Sequence, residues 1–328
     1  ALSVRCVKDE AELIEVSSIT LDAVSKTISA GESASLSATV TPSSANHKDA
    51  FWYSSNEAVA TVDQTGKVTA VAAGSATITA MAGMQCATCD VTVEEPVYYI
   101  DEYGVNRGAG VKIGETIWAP VNCGYHATDY KYGKLYQWGR KYGQGYNSSD
   151  ASTVISSSGP VSLDVGQSES NSKYFYKEGD SNCWLSARYH GKLWNSGSDD
   201  APVKTEYDPC PSGWRVPTRA EMSELSQNRS SWTTENGQNG YWFSGTQTYS
   251  SSVPRIFLPA AGSRAGHTAY ASDRGTEGSY WTSLHGSYPS EFEFTSSEVD
   301  LHLYYCAYGF SVRCVKDDSE LIEVSSID

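Results

Sequence analysis

Residues 3–19 of this 328-residue chain read SVRCVKDEAELIEVSSI, and residues 311–327 read SVRCVKDDSELIEVSSI. Fifteen of the seventeen positions are identical, the exceptions being Glu10/Asp318 and Ala11/Ser319, at an offset of 308 residues (311 minus 3). Val4 and Cys6, like Val312 and Cys314, alternate with Arg5 and Arg313, the pattern of a half-buried strand, and the rest of the segment reads as a linker. A strand that closes a sheet has one slot to fill. If residues 309–316 fill it, residues 1–8 must lie in the slot of a neighbouring copy or leave an exposed edge. Two arrangements meet that constraint: a long polypeptide with a period of 308 residues, or separate subunits that exchange a strand. Both imply copies of the chain joined in a head-to-tail fibre, because a heterologous contact that does not close propagates.

A chain of this length holds two domains with separate cores. Tyr 22, Trp 9 and Gly 28 against Met 3 favour β-structure with many turns. The formal charge of −15 argues against nucleic acid or an anionic membrane as partner, since both need a basic face. No apolar run approaches the roughly 18 residues that span a bilayer, so no membrane insertion is expected. The opening Ala1-Leu2-Ser3-Val4-Arg5-Cys6 carries neither initiator Met nor signal peptide and reads as a mature or excised piece. Eight cysteines in such a chain point to an oxidising, extracellular setting.

From about residue 17 to 95, short alternating runs such as Ala34-Ser-Leu36-Ser-Ala38-Thr-Val40, Val68-Thr-Ala-Val71 and Ala76-Thr-Ile78-Thr-Ala80 are separated by turn signals, including Gln64-Thr65-Gly66. That spacing predicts a β-sandwich, with Trp52 as core anchor. Val40-Thr41-Pro42, Trp52-Tyr53-Ser54-Ser55-Asn56, Ala58-Val59-Ala60-Thr61-Val62-Asp63, Gly66-Lys67-Val68-Thr69-Ala70 and Gly74-Ser75-Ala76-Thr77-Ile78 resemble the bacterial immunoglobulin-like group 2 family. The resemblance implies a spacer domain of a surface protein or adhesin. Cys86-Ala-Thr-Cys89 has no second CxxC to complete a metal site, and on a strand its cysteines face opposite ways. Cys89 reads as core, and Cys86 stays unassigned.

Residues 97–317 follow the linker Glu94-Glu95-Pro96 and read as carrying long polar loops at 147–167 and 226–239. One helix is signalled, with Thr218 as N-cap and Glu221 completing a capping box. Tyr132-Gly133-Lys134-Leu135-Tyr136-Gln137-Trp138, Asp208-Pro209-Cys210-Pro211-Ser212-Gly213-Trp214-Arg215-Val216-Pro217-Thr218, Leu258-Pro259-Ala260-Ala261-Gly262, Gly278-Ser279-Tyr280-Trp281 and Gly309-Phe310-Ser311-Val312-Arg313-Cys314 resemble the Fibrobacter succinogenes major paralogous domain, common in surface proteins of Bacteroidota. That family looks related to the C-type-lectin-like and formylglycine-generating-enzyme folds. The fold expected for the whole is therefore mainly β: an N-terminal immunoglobulin-like sandwich plus a larger, loop-rich α+β lectin-like domain. On this division residues 1–16 belong to the closing strand of a neighbouring repeat, and 318–328 begin the linker to the next.

The same relationship raises a formylglycine-type oxidase as an alternative, since sulfatase-activating enzymes bind copper through two cysteines near the C-terminus, where this chain has Cys306 and Cys314. Cys314 has an equally good use as a disulfide to Cys210, a bridge that would close about a hundred residues and stabilise by roughly 2–4 kcal/mol. Cys6, the repeat counterpart of Cys314, is a structural disulfide candidate with them, while the pairing of Cys123, Cys183 and Cys306 is not legible. His126, His190, His267, His285 and His302 lack any catalytic motif and read as surface or packing residues, so no enzyme and no cofactor are expected. Asp199, Asp200, Glu291 and Glu293 offer carboxylates for acid/base chemistry but read as solvated acidic groups, and no spaced ligand series supports calcium at Asp199 and Asp200. Carbohydrate binding is the second functional reading: Tyr125, Tyr146, Tyr189, Trp194, Trp242 and Tyr270 offer aromatic faces to sugar rings, with Trp194 and Tyr270 singled out. The EPN, QPD and WND calcium–sugar triplets are absent, and with few aliphatic side chains many of these aromatics must build the core.

Overall fold

The computed structural model describes residues 13–147, 149, 154–156, 162–169, 173–176, 183–184, 193–251, 253–266, 268–285 and 288–319. The chain is mainly β, and it divides into two compact units, Ala1–Val97 and Tyr98–Asp328.

In the first unit, the strand Ser25–Ser29 runs parallel to Gln85–Glu94, which pairs antiparallel with Gly74–Ala82 and so brings in Phe51–Ser54. A second layer is formed by Ser33–Ser35, Lys67–Ala70 and Ala60–Val62, and Ser18–Leu21 pairs with Ala38–Thr41. The alternation read from sequence puts Trp52, Leu36, Val68, Ile78, Val91 and Val93 into one apolar core. The Gln64 side chain bonds both the N–H and the C=O of Trp52, fixing that strand to the turn that follows the next one. Gly66 is required in that turn. Its φ is +84°, and a Cβ there would sit 2.3 Å from the carbonyl oxygen of Leu36. Cys89 is buried and Cys86 exposed on the same strand, neither of them bonded.

The segment after the repeated strand is not a linker. Val16 and Ile19 lie in the sandwich core, Ile14 and Asn46 exchange hydrogen bonds, and Ser17 bonds Thr41. The sandwich therefore begins before residue 17, the boundary expected from the turn pattern.

The second unit is built from small sheets. Thr233–Glu235, Gln238–Phe243 and Ile256–Pro259 form one, and Glu277–His285, Pro289–Thr295 and Val299–Leu303 another. Residues 226–239 were expected to be loop, yet they contain a hairpin. Asn236 (φ 50°) and Gly237 (φ 78°) make its two-residue turn, and Asn-Gly is the pair that tolerates positive φ at both positions. The helix Arg219–Leu225 starts on the full Thr218/Glu221 capping box. Aromatic rings replace the missing aliphatics: Trp118, Trp138, Trp184, Trp194, Trp281, Tyr99, Tyr280 and Phe175 are fully buried.

Candidate functional site

The duplicated segment is the most constrained part of the second unit. Val315–Lys316 lies inside a four-stranded sheet, between Thr116–Trp118 on one side and Trp214–Arg215 on the other, with Val111–Ile113 beyond. Backbone bonds continue the embrace: Ala119 N–H to Cys314 O, Cys123 N–H to Val312 O, Trp281 N–H to Ser311 O, Ser311 N–H to Ser279 O and Asp317 N–H to Gly213 O. With neighbours on both sides, the slot has no room for a second copy of the strand.

Arg313 departs from the half-buried alternation expected of it. Its side chain is buried, residue exposure 1%, because both faces of this strand are covered. The guanidinium donates to Asn122 Oδ1 at 2.9 Å, Ala119 O at 3.2 Å and Phe257 O at 2.9 Å. Burial pulls its pKa down to about 10, still high enough to keep the charge at neutral pH. Asn122 is held in turn by Tyr132 O and the Tyr280 hydroxyl, which donates to Pro259 O. Arg313 thus ties two separate stretches of chain, 119–122 and the strand carrying Phe257, to the closing strand.

Cys314 is joined to Cys210 with a Cα–Cα separation of 5.9 Å, and Cys183 to Cys306. The two cysteines of the copper alternative are therefore spent in different disulfides, and neither offers a thiolate. Cys123 lies beside the first bridge, with the Tyr136 hydroxyl 3.2 Å from its sulfur, and burial pushes its thiol well above the ordinary range. It is inert core. Asp208 approaches the same segment, accepting from Cys210 N–H and Val216 N–H, and burial raises its carboxyl to about 6. Cys6 lies outside the described residues, as do His190, His267 and Tyr189.

The aromatic candidates fare unequally. Trp194 has 0% exposure, packs on Trp138 and donates to Arg140 O, so it is core and presents no face to a ligand. Tyr270 is 71% exposed beside a hollow of about 370 Å³ that also involves Tyr146, Asn147 and Arg264. A larger cleft of about 590 Å³ brings together Tyr125, Trp242, Phe257, Lys131, Glu235 and Arg255. There Trp242 packs on Phe257 with ring centres 5.4 Å apart and carries the Arg255 guanidinium 4.7 Å from its own. The sequence pointed to Tyr125 and Trp242 but missed Arg255 and Phe257, which only the sheet pairing of Gln238–Phe243 with Ile256–Pro259 sets beside them.

Against known proteins, residues 15–93 match the model of the "Bacterial Ig-like domain (group 2)" family. The first unit is a bacterial Ig-like domain. This Ig-like domain also carries the likeness to a 3-O-alpha-D-galactosyl-alpha-L-arabinofuranosidase of Bifidobacterium longum subsp. longum, 47% identical over 68 residues, which is 20% of this chain and 6% of that protein. Among solved structures, domains 4 and 5 of the S-layer protein SbsC are 24% identical over 24% of this chain and 51% of that one, with a TM-score of 0.22. SbsC domains 5–6 align over 91% and 96% at 12% identity and a TM-score of 0.24. An intimin mutant of EHEC O157:H7 aligns over 24% and 49% at 24% identity and a TM-score of 0.18. The chain thus spans a small fraction of the curated relative and about half of the first of these structures. No helix among the described residues is long and apolar enough to cross a membrane.

Proposed function

We propose that the chain is one period of a covalent tandem array on a bacterial surface, an Ig-like spacer alternating with the larger disulfide-bonded unit. One observation carries the reading. The 17-residue repeat is a junction with two structural halves, and each copy reveals one of them. In the C-terminal copy, residues 311–317 complete the second unit. In the N-terminal copy, residues 14–19 join the Ig-like sandwich, with Val16 and Ile19 in its core. A sequence that retains both halves at both ends is what a chain passing from one such unit into the next requires. Strand exchange fits less well, since it explains the first half and leaves the identity of Glu-Leu-Ile-Glu-Val-Ser-Ser-Ile at 320–327 without a role. The two disulfides agree with an oxidising, extracellular location.

Native material run on a reducing, denaturing gel tests this. A covalent array keeps a mass that grows by one 308-residue period at a time, whereas exchanged subunits collapse to unit mass and would overturn the proposal.

Carbohydrate binding remains a second reading, favoured by the Trp242–Phe257–Tyr125 cleft with its adjacent Lys131, Glu235 and Arg255. A glycan array with the wild-type chain and Trp242→Ala examines it. Retention of glycans by the first and at least tenfold loss in the second is expected; no retention at high protein concentration sinks the idea.

A further inference from the structure

On the sheet Glu277–His285, Pro289–Thr295 and Val299–Leu303, Glu291 stands opposite His302 in register, and Glu293 opposite Asp300. Residues directly paired share a face, as do residues two apart on one strand, so all four side chains project to the same side. Glu291 Oε2 and Glu293 Oε2 lie 3.2 and 3.3 Å from the same atom, Nε2 of His302. A single imidazole N–H cannot serve two carboxylates equally. The inner one is poorly served: Glu291 Oε2 is buried, its side chain 2% exposed, and its 3.2 Å contact with Nε2 is not aligned as a hydrogen bond. Glu291 is therefore not the solvated carboxylate that its sequence context suggested. A buried carboxylate oxygen without an aligned donor is costly, and a cation shared by the three side chains would offset that cost.

We infer that Glu291, Glu293 and His302 form a binding site for a divalent transition-metal ion, with zinc the best match. The ligand atoms of the three residues all lie within 4.8 Å of one another. Zinc bonds of about 2.0–2.2 Å in tetrahedral geometry place neighbouring ligand atoms roughly 3.3 Å apart, and each carboxylate oxygen lies at that spacing from Nε2. An imidazole among the ligands disfavours calcium, which takes six to eight oxygens. Asp300 Oδ2 is 3.9 Å from the other ring nitrogen, Nδ1, beyond hydrogen-bond distance but on the side where a carboxylate favours the tautomer that leaves Nε2 free to ligate. His302 and Glu293 side chains are 35% and 31% exposed, so the ion can enter from solvent and a water or an outside ligand can complete the set. The ion would pin the last two strands of this sheet together across their exposed face.

The test is calorimetric titration of zinc chloride into the chelator-stripped full chain at pH 7.5, with calcium chloride as the parallel arm. One zinc per chain, little response to calcium, and a melting temperature that rises with zinc are expected. His302→Gln should weaken binding at least 100-fold and abolish the thermal shift, and the same is expected of Glu293→Gln, a half-exposed substitution that the fold tolerates. His126→Gln, at the separate His126–Asp129 pair, should leave affinity unchanged. Absence of zinc binding, or binding that survives both His302→Gln and Glu293→Gln, overturns the inference. An equal response to calcium does so too.

Discussion

Arg313 illustrates how far a residue's role depends on what surrounds its strand. Flanked by valine and cysteine, it has the look of a solvent-facing residue, but covering the second face turns it into a buried three-way tie. Replacing it with alanine strands the Ala119 and Phe257 carbonyls and Asn122 Oδ1 without donors and opens a cavity. A loss of about 3 kcal/mol in unfolding free energy by urea titration is expected. Arg313→Lys should recover only part of it, since an ammonium cannot reproduce the guanidinium fork. Asp208 supplies a pH signature. Its folded pKa of about 6 exceeds the 3.8 of an ordinary aspartate, so the folded state holds the proton more tightly than the unfolded chain. The stabilisation from that proton is complete below about pH 4 and is lost as pH rises through about 6. Asp208→Asn does not titrate, so its stability deficit against wild type should shrink by up to about 3 kcal/mol between pH 4 and 7. Melting curves across that range check it, and a deficit independent of pH would refute the assignment.

At the scale of elements, the closing strand is short but anchored at both ends. Two residues of formal strand, Val315–Lys316, hold their place through ladders on both sides and through the Cys210–Cys314 bridge to the segment that leads into the capped helix. Removing the bridge in Cys210→Ser/Cys314→Ser should cost roughly 2–4 kcal/mol of stability, by release of a loop of about a hundred residues in the unfolded chain. The denaturant midpoint should fall without a change in the secondary structure of the Ig-like domain. The Asn236-Gly237 dipeptide carries a hairpin signal, but the residues next to it, Thr233–Glu235 and 238–240, are polar and masked it.

For the molecule as a whole, the occupied slot governs the chemistry of the repeat's other copy. Cys210 is already bonded to Cys314, so in the isolated 328-residue chain Cys6 has no Cys210 to join. Native alkylation followed by mass spectrometry should label Cys6 readily while Cys210, Cys314, Cys183 and Cys306 stay protected until reduction. In a longer array the counterpart of Cys6 should be protected as well, bridged within the preceding unit. Free Cys6 in both would contradict the tandem reading.

The sequence alone determined what depends on local chemistry. Alternation with turn residues specified the Ig-like sandwich and its Trp52 core, the capping box set the helix start, and the shortage of aliphatics put the tryptophans inside. Tertiary structure alone decided what depends on residues far apart. It assigned Cys183 to Cys306, buried Trp194 and Arg313, built the Trp242–Phe257 cleft, and set His302 against two glutamates from the neighbouring strand. Pattern along the chain reports which way a side chain faces relative to its own backbone. Whether a second layer covers that face is fixed only when distant strands pair.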